Sequence, residues 1–204
     1  MAFDYALVRV DQIDFDRLNM NAPNGLKRVE MANFPTSHIP FSIGTVGEKK
    51  SSVTCRIVGW GKTWRGEDLA ASPVLLNATV DIMSRKYCNN INKTITGFHD
   101  VKVEKRIKNF YSRVTGDYSF CAGLKEGGQD TCQGDSGGPL YCLVEDKWVI
   151  FGVTSHGPHG CKADNPGIYA TVSRIVPWIE EHAGLINKVT LATTTTSFNF
   201  TSPT

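Results

Sequence analysis

Histidine is scarce in this 204-residue chain: there are five, His38, His99, His156, His159 and His182, and none precedes position 38. An imidazole supplied from the N-terminal segment is therefore excluded. No run of about 18 apolar residues occurs, so no membrane-spanning helix is expected. The N-terminus lacks a basic stretch leading into an apolar one, so it does not read as a secretory signal. No Cys-x-x-Cys pair is present, which argues against a zinc site. A net charge of only +2 gives no reason to expect nucleic acid or a membrane as partner. No internal repeat occurs.

What is present suits a globular domain of ordinary size, with 41% hydrophobic residues. The six cysteines are even in number, but spacing alone does not choose among their pairings. Three N-x-Thr tripeptides, at Asn77, Asn92 and Asn199, are candidate glycosylation acceptors.

Short strands between Gly and Pro turns argue for an all-β domain. Residues 53–61 and Val74–Ile82 read as strands, and Trp148–Val153 is an apolar run suited to a buried one. Ser84–Cys88 fits a short helix. Val172, Ile175, Val176 and Ile179 recur at helical spacing, with Gly184 as a stop. Residues 11–52, rich in Asn, Gly, Pro and Lys, read as a connector. Lys93, Lys102, Lys105, Arg106, Lys108 and Arg113 crowd the segment between Cys88 and Cys121, as either a solvated loop or a docking surface for an acidic partner. The Thr/Ser-rich tail, 188–204, is expected to be disordered, with a glycosylated stalk as the alternative.

The most specific segment is Asp130-Thr131-Cys132-Gln133-Gly134-Asp135-Ser136-Gly137-Gly138-Pro139. A serine hydroxyl is a weak nucleophile and needs a base. It also needs donors aimed at the developing oxyanion, which glycine turns can supply. A plain surface turn has a similar composition, but the surrounding residues narrow the choice. Cys55–Gly61 with Gly59-Trp60-Gly61, Phe120-Cys121-Ala122-Gly123, Val153–Gly157, Asn165–Tyr169 and the Trp178-Ile179 pair follow in order. Together they resemble the trypsin-like (chymotrypsin-fold) serine peptidases.

That resemblance implies a double β-barrel. Residues 1–187 would form a partial peptidase domain: 1–52 as the rim of barrel one and its linker, 53–172 as a complete second barrel, and 173–184 as a closing helix. It implies Ser136 as nucleophile, with the amides of Gly134 and Ser136 as the oxyanion hole. Asp4, in Phe3–Val10, resembles the aspartate of the triad. Asp130, six residues before Ser136, matches the floor of a pocket for Lys or Arg; Gly157 and Gly167 match its walls, and Ser155 matches the serine behind the triad, whose backbone would pair with substrate. His156 stands where the family usually has tryptophan. Disulfides Cys55–Cys142, Cys88–Cys121 and Cys132–Cys161 are implied, and with them an oxidising, extracellular setting. No cofactor is implied; the partners would be peptide or protein substrates with basic residues, and protease inhibitors.

The family's triad runs His, Asp, Ser along the chain, and no histidine precedes Asp4. The expectation is a chain that lacks the N-terminal part with the general base and is inert alone. Asp135, which in the family pairs with a freed N-terminal ammonium, would be left without its partner. The rival expectation is a non-catalytic homologue acting as a binding module; a truncated product that fails to fold is a third.

Overall fold

The computed structural model describes residues 4–20, 31–35, 53–65, 68–84, 87–88, 118–124, 127–157 and 166–183. The chain divides into two compact units, Met1–Arg174 and Ile175–Thr204. The first holds six antiparallel strands that close into a barrel.

The strands are β1 (Cys55–Gly59), β4 (Leu76–Met83), β5 (Ser119–Gly123), β6 (Pro139–Val144), β7 (Lys147–His156) and β8 (Gly167–Thr171). Round the barrel the order is β1-β4-β5-β8-β7-β6. A separate antiparallel ribbon pairs β2 (Lys62–Arg65) with β3 (Asp68–Ala71). Closure leaves the barrel without a free edge running its whole length.

Alternation sets the inward faces. On β1, Cys55 and Ile57 are buried while Arg56 is exposed and lies over the Trp148 ring. The core joins Ile57, Val80, Ile82, Phe120, Leu140 and Tyr169. Phe120 and Tyr169 are cross-strand partners on β5 and β8 and stack at 5.6 Å. Gly152 makes room for them: a Cβ there would stand 2.7 Å from Phe120 Cζ. The β6–β7 hairpin turns through Glu145 and Asp146 at φ 49° and 61°, the left-handed pair of a two-residue turn whose twist matches its strands.

Cys55 and Cys142 face each other across β1 and β6 and are disulfide-bonded, as are Cys88 and Cys121. Both bridges agree with the expected pairing. Cys132 is disulfide-bonded too; Cys161 lies outside the described residues.

Three other expectations take a different or sharper form. Residues 53–61 yield a strand only from Cys55 to Gly59, because the chain leaves the barrel at exposed Trp60. Residues 4–10, within the Phe3–Val10 segment that resembles a strand of the family, form neither strand nor helix; a strand needs a ladder partner, and no described strand is paired to this segment. The connector holds a short helix, α1 (Phe15–Met20), capped by Asp14, whose carboxylate accepts the Arg17 amide at 2.9 Å. Near Cys88 a helical turn is present: Ser84 accepts the Tyr87 amide through Oγ and the Cys88 amide through its carbonyl.

Helix α2 (Val172–Ala183) starts in the first unit and continues into the second. Val172, Ile175 and Ile179 are buried, as their spacing predicts. Pro177 sits inside it and removes one intrahelical donor. Gly184 and the 188–204 tail lie outside the described residues. Among the described residues no helix is long and apolar enough to cross a membrane.

Candidate active site

The turn carrying Ser136 is held from three sides. The Gly137 amide donates to Thr154 O at 2.8 Å, and the Thr154 amide returns a bond of 2.8 Å to Gly138 O. The Asp135 amide closes back onto Cys132 O at 3.0 Å. Gly134 and Gly137 take φ of 98° and 82°, in the left-handed region where a side chain would be strained. Ser136 itself is exposed. Among the described residues, the amides of Gly134 and Ser136, the two expected oxyanion donors, take part in none of the turn's backbone hydrogen bonds.

The Asp135 side chain is held by two backbone amides: Oδ1 accepts the Gly61 amide at 2.8 Å and Oδ2 the Cys132 amide at 2.9 Å. This explains Gly59-Trp60-Gly61. A Cβ at either glycine would collide with the Asp135 carboxylate, so only glycine lets the backbone pass so close. The Lys62 amide extends the clamp by donating to Gln133 O at 2.8 Å.

Asp130 lies beside Thr131 and Tyr169. Its Oδ1 accepts the Thr131 amide at 2.7 Å and, more weakly, the hydroxyls of Thr131 and Tyr169 at 3.4 Å. Its Oδ2 is buried with no hydrogen-bond partner among the described residues. Burial pushes the Asp130 carboxyl up from 3.8 to about 7, against the lowering effect of the Thr131 amide. Burial and then the charge of Asp130 raise the Tyr169 phenol above its ordinary range, so it stays a donor. Gly167 borders this carboxylate: a Cβ there would stand 2.8 Å from Asp130 Oδ1. A Cβ at Gly157 would lie 3.6 Å from Thr131 O. Asp130 and Asp135 both line a cavity of about 450 Å³, with Gly59, Gly61, Thr131 and Asn77 among its walls.

Asp4 reaches the same end of β7. Its Oδ2 accepts the hydroxyl of Ser155, the residue after Thr154, which anchors the Ser136 turn. Ser155 Oγ also lies 2.7 Å from His156 Nδ1. Consecutive strand residues ordinarily face opposite ways. Here the β7–β8 register slips between Thr154 and His156, and such a bulge re-aims side chains. A hydroxyl has one proton. Because Ser155 gives it to Asp4, the imidazole must donate from Nδ1, giving the chain His156 Nδ1–H to Ser155 Oγ–H to Asp4.

The sequence reading placed Ser155 beside substrate but missed its side-chain role. It also missed Thr131, Tyr169 and the two amides on Asp135. Gly59-Trp60-Gly61 was the available signal for the amides; nothing local marks Tyr169 as a partner of Asp130. Among the other histidines, His182 Nδ1 lies 2.8 Å from Trp178 O and its ring packs on Trp178. His38, His99 and His159 lie outside the described residues.

A closed six-stranded β-barrel that carries a glycine-bounded serine turn is the arrangement of a serine-peptidase type of domain. The sequence matches the family described as Trypsin over residues 3–179, and the chain belongs to that family. It is similar to transmembrane protease serine 7 of Mus musculus, with 36% identity over 147 residues, 70% of this chain. The chain spans 15% of the length of that relative.

Proposed function

We propose that the protein is a serine endopeptidase domain that cleaves after Arg or Lys through an acyl-enzyme on Ser136. The observation that carries this reading is the convergence at β7: Thr154 holds the Ser136 turn while Ser155 holds Asp4. Asp130, with Oδ2 buried and unpartnered in the cavity wall, supports a basic side chain as ligand. The amides of Gly134 and Ser136 would receive the oxyanion. Substrates are peptides or proteins with basic residues, protease inhibitors are the other partners, and the disulfides favour an extracellular setting.

Ser136 has no imidazole bonded to it among the described residues, and His156 is engaged with Ser155. The reading includes that the 204-residue chain by itself is inert, or nearly so. In the related subtilisin arrangement, loss of the triad base costs roughly a millionfold in kcat.

A fluorophosphonate probe tests both parts. The expected result is slow, far less than stoichiometric labelling that free imidazole accelerates and Ser136→Ala abolishes. Stoichiometric labelling without imidazole would refute inertness. Labelling indifferent to Ser136→Ala would refute the nucleophile. A chain that binds basic peptides but never labels would be the non-catalytic homologue.

A further inference from the structure

We propose that Asn77 carries an N-linked glycan that stands at the rim of the acid-lined cavity and covers an exposed apolar strip. The acceptor is Asn77-Ala78-Thr79, within β4. Strand geometry sends residues two apart to one face, and both Asn77 and Thr79 are exposed. The acceptor therefore presents its amide and its hydroxyl to solvent together.

Backbone pairing leaves this half of the strand accessible. Asn77 pairs with Val58 and Thr79 with Arg56, on the β1 side. On the other side, pairing with β5 begins only at Asp81. Among the described residues, no strand flanks 76–80 on that edge.

Two independent observations give the sugar a place. Val74, Leu75 and Leu76, immediately before the acceptor, are 58%, 51% and 44% exposed. Three successive apolar side chains in water form an aggregation-prone patch unless something covers them. Asn77 is also among the residues that line the cavity with Asp130 and Asp135. Disulfide formation and glycan transfer belong to the same oxidising route, so the two features are consistent.

This inference does not rest on the peptidase reading, and its readout is independent of activity. The full chain is produced in a eukaryotic secretory host behind an added leader. Cell and medium fractions are both digested with the amidase that converts a glycosylated Asn to Asp, and the peptides are mapped. Conversion at position 77 is expected in most molecules. It should persist in Asn92→Gln/Asn199→Gln, disappear in Thr79→Ala and return in Thr79→Ser. In the absence of the glycan, binding of a hydrophobic dye should rise. An unconverted Asn77 in both fractions would overturn the proposal, whether or not the protein is secreted. Unchanged dye binding after glycan removal would overturn the covering role.

Discussion

Replacing Asp130 with Asn should move stability and cation binding in opposite directions. In the folded protein the Asp130 carboxyl is raised from 3.8 to about 7 by burial. The folded state thus binds its proton more tightly than the unfolded chain does, and stability falls as pH rises from about 4 through about 7. At ~1.36 kcal/mol per pH unit this removes about 4 kcal/mol by pH 8. Asparagine has no charge to desolvate, but it places an amide where Oδ2 is buried and unpartnered, at a cost of about 1–3 kcal/mol. The balance is a gain of about 1–3 kcal/mol for Asp130→Asn at pH 8, and none at pH 5. Urea unfolding at the two pH values measures it.

Binding should go the other way. Benzamidine, a planar cation, needs the ionised acid. With a pKa of about 7, roughly one-tenth of the empty protein is ionised at pH 6 and nine-tenths at pH 8, so affinity should fall about tenfold on acidification. Asp130→Asn should abolish this dependence and cost about 2–5 kcal/mol of binding. If the variant is no more stable than the parent at pH 8, burial is not what displaces the carboxyl. If it binds benzamidine as well as the parent, Asp130 does not floor the pocket.

Gly61→Ala should cost about 3 kcal/mol or more, because its Cβ collides with the Asp135 carboxylate and Asp135 cannot retreat without losing two amide bonds; a urea midpoint unchanged from the parent would contradict the clamp. Ser155→Ala should cost about 1 kcal/mol, the bond to Asp4 being exposed, and limited proteolysis should cut within residues 4–13 faster than in the parent; an unchanged cleavage rate would contradict the tether. In the parent, the His156 ring should show its proton on Nδ1 by nitrogen chemical shift; the opposite tautomer would break the inferred chain to Asp4.

Much of this molecule was legible because its signals are local. Glycines at 59, 61, 134 and 137 record backbone approaches and left-handed turns that a side chain would prevent. Loose alternation over Val74–Ile82 marked β4, and helical spacing marked α2. Less legible was the N-terminal segment: Phe3–Val10 is composed like a strand, yet strand formation depends on a neighbour that composition does not encode. Residues 89–117, with the basic cluster, lie outside the described residues.

Through its resemblance to a known family, the sequence by itself revealed the class of the domain and two cysteine pairings that the structure matches, and it pointed to the candidate serine and acids. Only the tertiary structure decided which group satisfies which. It assigned Asp135 to two amides, left one oxygen of Asp130 unpartnered, and used a one-residue slip in β7 to turn Ser155 and His156 toward each other and Asp4. Residue types fix what a side chain can donate or accept. Distance and burial, set by segments as far apart as positions 4 and 155, fix what it does.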